Sequence, residues 1–136
     1  MIAAWVAQHD PDARLDEREY LWSAALDARG GLAVLRRIGE GNKDSVEVEV
    51  QAILWVPLVA GSRRFVIAHN HPTQPLYPTA PDMALTRRIM EAAGICGIVL
   101  ADHVILGPHG QEWSLLEHGL ILPENTDAAK AAGREK

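Results

Sequence analysis

Residues 65–88 read FVIAHNHPTQPLYPTAPDMALTRR, and this stretch decides the predicted fold. It opens with a short apolar run at 65–68 that follows a Gly-Ser-Arg-Arg break, which is typical of a buried strand. A loop with proline at every third position comes next, and the chain then predicts a helix over 82–93 with Gly94 as its C-terminal stop. The centre of the fold is therefore a strand, a rigid loop and a helix in that order.

Further strands and one more helix are predicted around this centre. They are strands at 20–26 and 32–38 joined by a glycine-rich turn, a buried helix at 52–59, and short strands at 98–100 and 104–106. The segment at 46–50 alternates valine with glutamate, a period of two that is typical of a strand, so a strand remains an alternative there. Because strands and helices interleave without an interior linker, the sequence predicts one compact domain of mixed α/β class.

The composition is that of an ordinary globular domain. The chain has 136 residues, of which 48% are hydrophobic and 23% charged, so wholesale disorder is excluded. The single cysteine, Cys96, rules out an intramolecular disulfide and a cysteine-rich zinc module, and it is expected to pack as a small apolar group. Trp22, Trp55 and Trp113 fall within or beside predicted elements and are expected in the core.

Charge and apolar runs exclude several classes of protein. A net charge of −5 disfavours non-specific nucleic-acid binding, which needs a basic surface, so no nucleic-acid partner is expected. The longest apolar stretch is shorter than the roughly 20 residues that span a bilayer, so no membrane association is expected either. Residues 1–7 lack the pattern of a secretory signal, and together with the free thiol this predicts a cytoplasmic protein.

Two histidines end the central strand. His69 and His71 are two positions apart, so in an extended chain both imidazoles point to the same side. Neutral imidazole is a good zinc ligand, and the pair therefore indicates a metal site. The alternative is two surface or hydrogen-bonded histidines without a metal.

A carboxylate stands at the start of the following helix. Asp82 could complete a set of two histidines and one carboxylate, which leaves a fourth zinc position for water, as in catalytic sites. Thr79 and Asp82 also have the spacing of a capping box, which explains both residues without a metal. A hydrolase needs a base as well, and spacing does not choose among the candidates Glu17, Glu19, Glu40, Glu47 and Glu49.

These residues resemble the JAMM motif of the JAB/MPN metallopeptidases. The pattern is HxH, seven residues, serine, two residues and aspartate, matched here by His69, His71, Thr79 and Asp82. The RadC-like branch is the most similar, because HNHP is followed by a proline-rich loop and DMALTRR, and because ERE-Tyr at 17–20 and Asp102-His103 also match. The similarity covers residues 15–122, although threonine replaces the serine.

The resemblance implies a fold and an activity. The fold is a single MPN/JAB-like domain over residues 1–122, with a central, mostly antiparallel sheet flanked by helices; residues 123–136 are then a C-terminal tail. His69, His71 and Asp82 would hold one zinc ion per chain, Glu19 would be the catalytic base, and Thr79 would stabilise the oxyanion. The expected activity is zinc-dependent hydrolysis of a peptide or isopeptide bond.

The same resemblance suggests the partners and the alternatives. A protein substrate is expected, such as the C-terminus of a ubiquitin-like or sulfur-carrier protein. One alternative is a catalytically silent interaction module, because many MPN domains lack the ligands. The other is a DNA-associated protein, which the acidic balance and the missing helix-hairpin-helix region disfavour. His103 either orients a metal ligand or is a hydrogen-bonded structural histidine.

Overall fold

Three helices and five strands make up the described chain, residues 1–41 and 48–123 of a computed structural model. In chain order they are α1 (Ile2–His9), β1 (Tyr20–Leu26), β2 (Leu32–Glu40), α2 (Val50–Ala60), β3 (Arg64–Asn70), α3 (Ala80–Ile95), β4 (Val99–Leu106) and β5 (Glu112–Ser114). The predicted mixed α/β class is confirmed. The tail predicted at 123–136 lies outside the described residues except for its first residue, and so do the first two residues of the segment at 46–50.

The strands form one sheet in the order β2-β1-β3-β4-β5. β1 is antiparallel to β2 and β3, β4 is antiparallel to β5, and β3 and β4 are the parallel pair. The sheet is thus mostly antiparallel, as expected. Since β1 and β3 run in opposite directions, the start of β1 lies beside the end of β3, where Leu21 is paired with His69.

Helices cover both faces of the sheet. Alternate residues of β3 separate into two apolar clusters, because successive side chains of a strand point to opposite faces. Phe65 and Ile67 pack with α2 and α3, whereas Val66 and Ala68 pack with α1. His69 continues the first series, so its side chain lies on the face covered by α3.

Two predicted boundaries are wrong. The strands predicted at 98–100 and 104–106 are parts of the single strand β4. The helix α3 runs past Gly94 and ends at Ile95, with Cys96 as its C-cap and Gly97, at a φ of 76°, immediately after. The amides of residues 97 and 98 bond to the carbonyls of residues 94 and 93, so the left-handed glycine that ends this helix is Gly97.

Two residues expected in the core are exposed. Trp22 is fully buried, but Trp55 is 59% exposed on the side of α2 opposite its buried residues. Cys96 is exposed because it caps the end of α3, beyond the last packed turn. The helix α1 was not predicted, yet its Ile2 and Val6 join the core.

Among the described helices, none is long and apolar enough to span a membrane.

Candidate metal centre

The two histidines predicted as ligands converge at the end of β3. His69 is the penultimate residue of the strand, and His71 follows it, held by a hydrogen bond of 3.0 Å from its amide to the Leu106 carbonyl. The two Nε2 atoms lie 2.9 Å apart, and both side chains are buried. Extended geometry at positions i and i+2 thus brings both imidazoles to one point, as the sequence predicts.

Asp82 reaches the same point from the first turn of α3. Its Oδ1 lies 3.2 Å from His69 Nε2, and its Oδ2 lies 3.2 Å from His71 Nε2. The capping box is formed too, since the Asp82 amide donates to Thr79 Oγ1 and the Thr79 amide donates to Asp82 Oδ2. The two interpretations of Asp82 are therefore compatible, because the cap holds the carboxylate against the histidines.

Electrostatics couples these three side chains. Burial raises the pKa of Asp82, but its contacts with the His69 and His71 imidazoles outweigh it and hold the pKa of that carboxyl far below its usual range. Burial lowers the pKa of His71, while its contacts with the Asp82 carboxylate and the Pro75 carbonyl more than reverse this and leave the pKa raised. The centre thus carries an ionised carboxylate beside two imidazoles.

Glu19 lies beside the same two histidines, immediately before β1. It is buried, and its carboxylate has an oxygen within 4.8 Å of a ring nitrogen of each histidine, His69 and His71. The antiparallel pairing of β1 with β3 explains this placement, because it brings the start of one strand to the end of the other. Of the glutamates considered as the catalytic base, Glu19 is the one in the described chain whose carboxylate lies near both histidines.

Asn70 fixes the backbone around Glu19. Its Oδ1 accepts the Tyr20 amide at 2.7 Å, and its Nδ2 donates to the carbonyls of Arg18 at 2.7 Å and Leu15 at 3.0 Å. The side chain is completely buried and uses its donors and its acceptor on backbone groups. Sequence reasoning missed this residue, although strand alternation between His69 and His71 placed it on the opposite face.

The outer nitrogens of both histidines have partners. His71 Nδ1 lies 2.7 Å from the Pro75 carbonyl oxygen, and His69 Nδ1 lies 2.7 Å from His103 Nε2. His103 Nδ1 in turn lies 2.7 Å from Thr86 Oγ1. Burial, assisted by the neighbouring His69, lowers the pKa of His103 well below its usual value, so its imidazole is neutral.

The donor set fits zinc. Ligand atoms at about 2.0–2.2 Å from zinc in a tetrahedron lie about 3.3–3.6 Å from one another. The two Nε2 atoms lie 2.9 Å apart, and each lies 3.2 Å from a different oxygen of Asp82, which is within a few tenths of an ångström of those separations. Two imidazoles and one carboxylate also match the ligand types of known hydrolytic zinc sites. His69, His71 and Asp82 could therefore hold the ion.

Thr79 marks the open side of the centre. It is exposed, whereas the histidines are buried and Asp82 is half-buried. Its hydroxyl accepts the Asp82 amide at 3.2 Å, which leaves the hydroxyl proton available to donate. A ligand entering the centre from solvent would meet this residue and Asp82.

Comparison with known proteins agrees with this geometry. The family model described as the RadC-like JAB domain matches residues 3–120. A UPF0758 protein of Syntrophomonas wolfei is 33% identical over 105 residues, covering 77% of this chain and 44% of that protein. One from Rubrobacter xylanophilus is 33% identical over 109 residues, covering 80% and 47%, and one from Porphyromonas gingivalis is 28% identical over 104 residues, covering 76% and 46%. The chain thus spans about half the length of these relatives, and it belongs to the RadC-like JAB domain family.

Proposed function

We propose that this chain is a zinc-dependent peptidase or isopeptidase. The observation that carries the proposal is the convergence of two imidazole nitrogens and the Asp82 carboxylate within 3.2 Å, with the Glu19 carboxylate beside them. Three protein ligands with an open side are typical of hydrolytic zinc sites, whereas structural zinc sites are closed by four. His69, His71 and Asp82 hold the ion in this proposal.

The protein side chains divide the work of hydrolysis. Zinc, when bound, supplies Lewis acidity toward a carbonyl and lowers the pKa of water toward about 7. Glu19 takes a proton from the attacking water as the water oxygen bonds to the carbonyl carbon. Glu19 then delivers that proton to the nitrogen as the C–N bond breaks, which releases an amine. Thr79, at the open side, donates its hydroxyl proton to the developing oxyanion.

The proposed substrate is a protein tail. The resemblance to metallopeptidases of this motif favours the C-terminus of a ubiquitin-like or sulfur-carrier protein, from which an attached group is removed. Thr79 is exposed and Asp82 is half-buried, and in this proposal an extended tail approaches the buried histidines from their side. We also propose a reducing compartment such as the cytoplasm, since the single cysteine is an exposed free thiol.

Two variants at the two carboxylates test the proposal. Glu19→Gln should keep about one zinc per chain and lose turnover on the order of 10²- to 10⁴-fold, because it removes the base and leaves the ligands. Asp82→Ala should lose the zinc. The measurements are elemental analysis of tag-free protein and cleavage of C-terminal amides of ubiquitin-like proteins.

The outcomes separate the assignments. Loss of zinc in Glu19→Gln with retention in Asp82→Ala would exchange the roles of the two carboxylates. His69→Ala is the control that removes a ligand without touching either carboxylate. No zinc in the wild-type chain after reconstitution would contradict the peptidase and favour an interaction module.

A further inference from the structure

Thr86 and His103 form a hydrogen-bonded chain that ends on His69. We infer that these two are positioning residues, which dictate the ring nitrogen of His69 that carries its proton. The inference rests on the zinc site proposed above and deepens it. Thr86 and His103 are themselves neither ligands nor the base, because they lie behind His69, on its Nδ1 side.

The chain starts at a backbone carbonyl that can only accept. Thr86 Oγ1 lies 2.9 Å from the carbonyl oxygen of Asp82, one turn earlier in α3, and donates its single proton to it. The same oxygen lies 2.7 Å from His103 Nδ1. With its proton already used, the hydroxyl must accept at this second contact, so His103 Nδ1 carries a hydrogen.

The proton on His103 then fixes His69. His103 is completely buried, which disfavours a charged ring, and a neutral imidazole has one N–H, so the Nε2 of His103 has a lone pair and accepts. Its partner at 2.7 Å is His69 Nδ1, which must therefore donate. The Nε2 of His69 is then free to direct a lone pair at the point shared with His71 and Asp82.

The other histidine reaches the same state by a shorter route. His71 Nδ1 lies 2.7 Å from the Pro75 carbonyl oxygen, which also can only accept, so His71 holds its proton on Nδ1 directly. Two backbone carbonyls thus orient the two histidines. The Pro75 carbonyl contacts His71 directly, and the Asp82 carbonyl acts on His69 through Thr86 and His103. Asp82 takes part twice, by its carboxylate and by its main-chain oxygen.

The alternative is a buried histidine that merely fills the core. His103 is a residue of β4 and is fully buried where α3 covers the sheet, so removing it could unfold the protein for reasons unrelated to zinc. Thr86→Val avoids this, since it keeps the shape and removes only the hydroxyl. In that variant the proton on His103 Nδ1 has no acceptor, or it moves to Nε2, where it faces the proton of His69.

The experiment uses the full chain with ¹⁵N-labelled histidine, in zinc-loaded and metal-free forms. NMR should find the proton of His103 on Nδ1 in both forms, with Nε2 as an acceptor. Zinc affinity is measured by competition with a chromophoric chelator. We expect Thr86→Val to bind zinc about 10- to 100-fold more weakly and Thr86→Ser, which keeps the hydroxyl, to bind like the wild type.

Each outcome has a distinct meaning. A wild-type chain that binds zinc with the His103 proton on Nε2 would overturn this inference and leave the proposed function standing. Zinc binding by Thr86→Val as tight as that of the wild type would do the same. A wild-type chain that binds no zinc would overturn the proposed function and the positioning role with it.

Discussion

At the scale of single residues, the centre depends on side chains with more than one task. Asp82 closes the capping box of α3 and contacts both histidines. Thr79 keeps the hydroxyl on which that cap depends, so replacing the serine of the motif by threonine preserves the contact. The added methyl group has room, because Thr79 is exposed. The departure from the family pattern therefore leaves the cap intact.

Asn70 offers a sharp prediction at this scale. Asn70→Asp keeps the acceptor for the Tyr20 amide but replaces both donors to the Arg18 and Leu15 carbonyls with an oxygen. We expect a loss of about 3 kcal/mol or more in the free energy of unfolding, because a buried carboxyl then faces two carbonyls. Urea denaturation measures the loss.

The activity of the same variant tests the link to Glu19. Turnover should fall while the zinc content stays at one, since Asn70 bonds to the backbone around Glu19 and to neither imidazole. Gln51→Glu is the matched control, as it makes the same amide-to-carboxylate change on the exposed side of α2. If Asn70→Asp lost no more free energy of unfolding than this control, the three hydrogen bonds of Asn70 would contribute little to stability.

At the scale of elements, the C-terminal end of α1 is fastened to the sheet by one carboxylate. Asp10, which ends the helix, accepts from Trp22 Nε1 at 2.8 Å and from Arg37 Nε and Nη2 at 2.8 and 2.7 Å. Burial raises the pKa of Asp10, but the hydrogen bonds from Arg37 and Trp22 outweigh it and leave the pKa lowered. Asp10 caps α1, and its two partners lie in β1 and β2, so this carboxylate joins three elements.

We predict that Asp10→Asn lowers the free energy of unfolding by about 1–2 kcal/mol at neutral pH. Because the folded pKa is below the unfolded one, this contribution is complete above about pH 4 and disappears as the pH falls through the folded pKa. The free energies of unfolding of the wild type and of Asp10→Asn, measured by denaturation from pH 7 down to pH 2, should therefore approach each other as the pH falls. Glu17→Gln, in the exposed pair with Arg14, should change little at any pH.

The elements also show how far the sequence determines the fold. Period-two and apolar patterns located every strand from β1 to β4 and the two longer helices, because those patterns reflect local burial. They placed the end of α3 at Gly94 instead of Gly97. Either glycine can end a helix, and the choice depends on Ile98, which is buried and whose amide bonds to the Ala93 carbonyl. They missed α1, since a short apolar segment has no period strong enough to separate helix from strand.

The candidate site was predictable to a different degree. Spacing brought His69, His71 and Asp82 together, and family resemblance chose Glu19 among several carboxylates. Neither source gave roles to Asn70 and Thr86. The Asn70 side chain bonds to backbone groups that the pairing of β1 with β3 brings near it, and Thr86 reaches the His103 side chain through the packing of α3 on β4. Contacts between distant segments lie outside what local patterns encode.

At the scale of the whole molecule, zinc should act as a stabilising ligand. Free zinc at 100 times its Kd adds about 2.7 kcal/mol to the free energy of unfolding, which raises Tm by roughly 10 °C for a domain of this size. Thermal unfolding followed by circular dichroism, with zinc and then with a chelator, measures the shift. Asp82→Ala should show no shift, and an equal shift in that variant would indicate zinc bound elsewhere.

The pairing of β1 with β3 also affects the order in which folding and metal binding occur. The Tyr20 amide meets the Asn70 side chain across 50 positions of sequence, so a large loop must close before the centre exists. Partly folded chains therefore lack the proposed zinc site, and we expect the ion to enter a protein that is already folded. We expect zinc to leave the folding rate almost unchanged and to prolong the lifetime of the native state by slowing unfolding.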